Sequence, residues 1–220
     1  MIMHHTLLLR LVGPMQSWGV SSRFTVRDTG REPSKSGVVG LLAAALGRPR
    51  EDRIDDLAAL RMGVRVDREG EVMVDFHTAS QVYKASGSGL KDTEVSRRYY
   101  LADAAFLVGL EGEDLDLLRR LQKALRDPVW PLYLGRKAFV PACPVELPDG
   151  LREHTGLEEA LRTYPLITNR PSGSRLRLVL EDADGPIVRS DQPISFAERR
   201  FAPRRVRVDF LPSPEERTEC

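Results

Sequence analysis

Cysteine, histidine and aromatic residues are scarce in this chain, and each shortage closes off a class of chemistry. Only two cysteines, Cys143 and Cys220, occur among 220 residues. Thiols so far apart form neither a disulfide framework nor a zinc-binding spacing, so a reducing cytoplasm is the expected setting and no metal or other cofactor is implied. No apolar run approaches the ~20 residues that a membrane helix needs. The start, Met1-Ile2-Met3-His4-His5, has no basic region, and Arg10 breaks the Leu7-Leu8-Leu9 run, so no signal peptide is expected. An excess of one charge is missing too, since the net charge is only +1. The molecule as a whole is therefore not a general magnet for nucleic acid.

What remains is a soluble composition. With 41% apolar and 30% charged residues, the chain can bury a core without covalent staples. Its charges are segregated along the sequence. Acidic groups gather at Glu51-Asp52, Asp55-Asp56, Glu111 to Asp116 and Glu215-Glu216. Basic groups gather at Arg97-Arg98, Arg136-Lys137, Arg199-Arg200 and Arg204-Arg205-Arg207. Any one basic pair reads as ordinary solvated surface. The set reads as one anion-binding face.

The pattern predicts a buried strand over His5 to Val12, ended by Gly13-Pro14, and then a long polar loop from Met15 to Ser34. Ser36 is placed to cap a helix that runs to Leu46 and stops at Gly47. Gly37 and Gly40 are costly there, which implies close packing at the helix start. A second, short helix is expected over Glu51 to Leu60. Met62 to Val66 and Val72 to Phe76 alternate well, and Gly70 lies between them, so they read as a hairpin. The small, polar stretch Ala85 to Lys91 suggests the tip of a longer hairpin whose arms include Gln81 to Lys84 and Glu94 to Tyr100. A strand over Ala104 to Leu110 and an amphipathic helix over Asp114 to Leu125 follow. After a Pro-rich stretch come a short helix at Leu157 to Tyr164 and strands at Arg175 to Glu181 and Val206 to Phe210. The fold class is thus α+β: a ferredoxin-like (RRM-like) βαββαβ body with an inserted hairpin and a small β-rich C-terminal part. The boundaries read as 1–145 for the body, about 77–101 for the hairpin within it, and 146–220 for the extension. A sheet with helices on one face leaves its other face for RNA.

Three blocks carry a resemblance. The first runs from Leu8 through Gly13-Pro14-Met15-Gln16-Ser17-Trp18-Gly19 and on to Pro33-Ser34-Lys35-Ser36-Gly37-Val38-Val39-Gly40. The second is Ser96-Arg97-Arg98-Tyr99-Tyr100-Leu101-Ala102-Asp103, and the third is Tyr133-Leu134-Gly135-Arg136-Lys137 before Pro141. In this order and at this length the sequence resembles the CRISPR-associated Cas-five family, subtype I-E. The resemblance implies a body of the repeat-associated RNA-binding type with a protruding hairpin thumb. It implies a place in the Cascade surveillance complex, beside a backbone subunit and a large DNA-sensing subunit. It also implies the task of holding the 5′ handle of the CRISPR RNA without cutting it.

Gripping unpaired RNA needs cations for phosphates and aromatics for bases. Arg23, Arg27 and Lys35 lie in or beside the long loop, and Lys35-Ser36 sits at a helix start that favours a phosphate. A nucleotide P-loop is disfavoured, because Ser34 stands where that motif needs its second glycine. Trp18 and Phe24 either stack on bases or plug the core, and the residue types do not choose between these fates. On the thumb, Gln81, Tyr83, Lys84, Arg97, Arg98 and Tyr99 interleave aromatic and basic groups. Gly135 beside Arg136 and Lys137 would let backbone approach a phosphate. Of Arg199, Arg200, Arg204, Arg205 and Arg207, one or two are expected to touch RNA. No carboxylate cluster offers a two-metal nuclease site. The alternative function, a metal-independent endoribonuclease, has His4, His5, His77, His154, Tyr83 and Lys84 as its possible parts; His77, Tyr83 and Lys84 form the best set, and His4 and His5 fall in no catalytic pattern. A protein-only scaffold is the third reading.

Overall fold

A computed structural model describes residues 3–21, 25–84, 86–169 and 175–212. Two strips of chain organise it. The first is β1 (His5–Val12), which splits its leucines between two cores: Leu7, Leu9 and Leu11 face one side of the sheet and Leu8 the other. That is the period of two expected of a strand buried on both faces. Its neighbours are β7 (Ala105–Gly112) and β8 (Glu146–Arg152), both antiparallel to it. Beyond β7 come β4 (Arg61–Arg68), β9 (Leu176–Glu181), β11 (Arg200–Leu211) and β10 (Ile187–Ser195). Among the described residues the sheet therefore has seven strands, ordered β10-β11-β9-β4-β7-β1-β8 and antiparallel throughout. The segment beginning at residue 146 supplies β8 on one edge and β9 to β11 on the other, so one sheet runs through both portions.

Helices α1 (Lys35–Ala45), α2 (Asp55–Ala58) and α3 (Leu115–Arg126) cover the Leu7 side through residues such as Val38, Leu42, Leu57, Leu118 and Leu121. The opposite side, expected from sequence to stay open for RNA, is covered by α4 (Leu157–Thr163). Leu157, Ala160 and Leu161 pack there on Leu8, Leu107, Leu178 and Leu180. Gly63 and Gly109 make the approach possible, because a methyl group at either would meet α4 leucines at 2.7 Å. Arg65 then pins the helix end. It is fully buried, paired with Asp67 at 2.7 Å, and donates to the carbonyls of Leu161, Tyr164 and Pro165. These are the orphan acceptors left where a helix stops.

The second strip is the projecting hairpin, β5 (Glu71–Tyr83) and β6 (Leu90–Ala102), paired from Glu71↔Ala102 to Tyr83↔Leu90. It leaves the main sheet after β4 and returns to it at β7. Gly70 (φ +70°) and Asp103 (φ +55°) turn the chain at its two roots. The expected hairpin between residues 62–66 and 72–76 does not form: β4 pairs with β7 and β9, and β5 pairs with β6. Two other expectations change. The helix over Glu51 to Leu60 shrinks to Asp55–Ala58. The cap of α1 is Ser34, whose hydroxyl accepts from Gly37 N, while the Ser36 hydroxyl lies 3.5 Å from that of Ser34. Among the described residues no helix is long and apolar enough to cross a membrane.

Removing one partner of a buried ion pair costs about 3–5 kcal/mol. Arg65→Met is therefore expected to lower unfolding free energy by about that amount in urea denaturation. A loss below about 1 kcal/mol would show that α4 is held by its leucines alone.

Candidate nucleic-acid interface

The long loop after β1 is built on Gln16 and on Trp18, whose fate sequence alone left undecided. Gln16 is buried and donates to the carbonyls of Leu11 and Ala104 at 3.1 and 2.8 Å. Its carbonyl oxygen accepts from Trp18 Nε1 at 3.1 Å. Trp18 is 1% exposed, and its ring lies where a β-carbon on Gly37 would come within 2.9 Å. The expectation that Trp18 stacks on a base is thus corrected: the indole is core, and the glycine at the helix start exists to admit it. Gly40 has only ordinary contact at 3.6 Å from Phe196. Arg23 and Phe24 lie outside the described residues.

Held by this plug, the loop docks on the hairpin root. Its strand β2 (Met15–Gln16) pairs antiparallel with Leu101 and Ala102, and β3 (Val26–Arg27) pairs parallel with Arg97 and Arg98. Asp28 closes the turn, accepting from the backbone N–H of Val20 and Ser21 at 3.3 and 3.0 Å. From the other side comes the loop between α3 and β8. Gly135 (φ +88°) approaches Ser17 so closely that a β-carbon would fall 1.7 Å from its carbonyl oxygen. Gly135 therefore serves the contact of two loops within the protein, where sequence reading had assigned it the approach of a phosphate.

Between these elements lies a cleft of about 330 Å³ lined by Ser17, Gly19, Arg27, Asp28, Arg98, Gly135 and Arg136. Register explains the convergence, since Arg27 and Arg98 are direct partners across β3 and β6 and share a face. Arg136 is fixed from behind. It donates to Tyr99 O at 2.8 Å, and its guanidinium sits 5.3 Å from the centre of the Phe139 ring. Burial lowers its pKa, and the neighbouring Arg98 and Arg27 lower it further, against the opposing pull of Asp75 and Asp28. Three guanidinium groups thus crowd a half-enclosed space with fewer counter-charges than they need, an arrangement that an anion relieves. Lys137 is exposed beside them. Among the described residues no carboxylate pairs with Arg27, Arg97, Arg98, Arg136 or Lys137.

Other predicted contacts lie elsewhere. Lys35 is 1% exposed and paired with Glu181 at 2.9 Å. The α1 N-terminus where a phosphate was expected is filled by the chain's own Asp191, which accepts from Lys35 N at 2.8 Å. Lys35 and Ser36 are thereby corrected to structural residues. Asp191 also holds Arg204, and Arg207 pairs with Asp182, Glu158 and Asp209, so these two arginines are spent internally. Arg199 and Arg200 are exposed where β11 begins, and Arg200 pairs with Glu198 at 3.2 Å. They lie roughly 30 Å along that strand from Phe210, the partner of Arg177, whose own ion pair with Glu69 marks the hairpin root. They do not join the cleft. Gln81, Tyr83 and Lys84 occupy the hairpin tip, where Tyr83 is 84% exposed. That places Tyr83 and Lys84 roughly 20 Å along the strand from His77, so the catalytic trio weighed from sequence is not assembled. His77 instead sits 3.6 Å from Asp75. Among the described residues no group of three or more His, Cys, Asp or Glu side chains gathers as a metal ion would require.

Sequence reading missed Phe76, the most exposed aromatic ring of the hairpin after Tyr83, at 67%. Its position in an alternating apolar run made it look like core, and the absence of any covering element could be seen only in three dimensions.

Comparison with known proteins agrees with this architecture. The chain matches the family profile described as CRISPR-associated protein (Cas_Cas5) over residues 6–207. It is 37% identical over 165 residues to the CRISPR system Cascade subunit CasD of Escherichia coli K12, covering 66% of this chain and 70% of that one. A solved structure described as a crystal structure of a Cas protein superposes with a TM-score of 0.79 at 52% identity, covering 94% of this chain and 95% of its own. A chain from a CRISPR RNA-guided surveillance complex superposes equally well, 0.79 at 38% identity, over 96% of this chain and 92% of its own. With nearly its whole length accounted for in these ways, the chain belongs to the CRISPR-associated Cas5 family.

Proposed function

We propose that this protein is the RNA-binding subunit that holds the 5′ handle of the guide RNA in a Cascade-type antiviral surveillance complex, and that it does so without cutting. One observation carries the reading: Arg27, Arg98 and Arg136 converge on a single cleft at the hairpin root. A phosphodiester in that cleft would supply the missing counter-charge, and the half-buried setting strengthens each contact relative to open water. The likeness to CasD and to a chain of a surveillance complex supports the assembly, with neighbouring Cascade subunits as partners. The body supports it too. Strands β4, β7, β1 and β8 lie in the order of the ferredoxin-like plan, with α1 and α3 in its two crossovers and the hairpin as the inserted thumb.

Ribonuclease activity is the competing reading, and the His77–Asp75 pair is the feature that keeps it in view. Labelled repeat RNA incubated with the pure protein without divalent ions is expected to stay intact. Discrete products that vanish in His77→Ala would establish the enzyme instead.

The holding function makes two further predictions. Tagged protein purified from cells that express the whole system should bring down short RNA with a uniform 5′ end, and ragged ends or no RNA would contradict it. In single-strand binding measured across salt concentrations, Arg98→Gln should reduce the log–log slope by roughly 0.7, the signature of one lost phosphate contact. An unchanged slope would remove the cleft from the interface.

A further inference from the structure

The cleft uses only one face of the small sheet. Successive residues of a strand point to opposite faces, so each strand that lines the cleft also presents its next residue outward. Arg27 and Arg98 are cross-strand partners on the cleft side, with Asp75 in the same register. One step along, Val26, Arg97 and Phe76 are partners on the outer side. There Phe76 is 67% exposed, flanked by the exposed Val74 and by Val26. Tyr99 lies opposite Val74 and Val95 opposite Thr78, continuing the same face. Contiguous exposed apolar surface of this kind marks a contact site.

We propose that this outer face is a stacking subsite for an unpaired nucleobase, with Phe76 as the platform and Arg97 as the neighbouring cation. The inference rests on the RNA-holding reading of the cleft and extends it to the other side of the hairpin. Two observations select a nucleobase as the occupant. Arg97 lies in the middle of the apolar face and is exposed, with no carboxylate paired to it among the described residues, so the face suits an occupant that is flat and apolar yet borne on an anionic backbone. The face is also continuous with the cleft through the same three strands, one residue apart in each. A single strand crossing the edge of the hairpin can thus leave a phosphate among Arg27, Arg98 and Arg136 and lay a base on Phe76. Aromatic rings beside guanidinium groups are the elements single-strand binders use for this purpose.

The test uses the full chain and a short single-stranded RNA carrying 2-aminopurine at successive positions. Phe76→Ala is expected to weaken binding about 5- to 100-fold, to leave the salt slope unchanged, and to abolish fluorescence quenching at one position that the native protein quenches. Phe76→Tyr should retain both affinity and quenching. Because the ring is on the surface, melting temperatures of the variants should match the native protein, which separates a binding defect from misfolding. Native affinity and quenching in Phe76→Ala would overturn the stacking subsite, and an Arg98→Gln variant that still loses affinity would show that the cleft reading survives it. If the native protein binds no RNA, both fall together. If Phe76→Ala binds RNA normally but no longer co-assembles with its protein partners, the face belongs to a protein contact and the inference is wrong.

Discussion

The side-chain pair Gln16 and Trp18 is the constraint on which the rest of the surface depends. A loop of some twenty residues following a strand would ordinarily be mobile. Here its indole is driven into the core against Gly37, and Gln16 satisfies two buried carbonyls and the indole N–H at once. No buried side-chain polar atom among the described residues is left without a partner, so hydrogen bonds within the plug offset the cost of taking its polar groups out of water. What it fixes is geometric. With Trp18 seated, β2 and β3 reach the hairpin root in register, and Arg27 arrives beside Arg98. The cleft is a consequence of core packing several residues away from it.

Charge is partitioned by the same fold. Arg65, Lys35 and Arg204 are buried and matched to carboxylates, and Arg177 bridges Glu32 and Glu69 to tie the loop to the hairpin root. These cations do structural work. The ones left without a matching carboxylate among the described residues include Arg27, Arg97, Arg98, Arg136 and Lys137, all at one end of the molecule. A net charge of +1 therefore conceals a local cluster of cations at the hairpin root.

Local signals in the sequence foretold β1, α1, α3, β7 and the long hairpin, because each is a continuous run with its own period and its own stop. Gly47, for example, ends α1 with φ +70°. Pairing was less legible. Residues 62–66 and 72–76 alternate like two arms of a hairpin, yet β4 is claimed by β7 and β9, and only tertiary packing decides that. Strand β8 carries Pro148 and Gly150 and reads as a turn, and β10 carries Pro193, which an edge strand tolerates. The site was half legible for a similar reason. Sequence placed Arg97, Arg98 and Arg136 among the candidates, but the fate of Lys35 was settled by Glu181 and Asp191, roughly 150 positions away, which no local pattern reveals.

The two faces of the hairpin differ only in parity. Even positions of β5 carry Val72, Val74 and Phe76, and odd positions carry Asp75 and His77 beside the cleft. Adding or deleting a single residue near the root of β5 would exchange the two sides at one stroke, turning the phenyl ring toward the arginines and the carboxylate toward solvent. Changes in arm length between the root and Phe76 that preserve both surfaces must therefore come in matched steps of two on each strand.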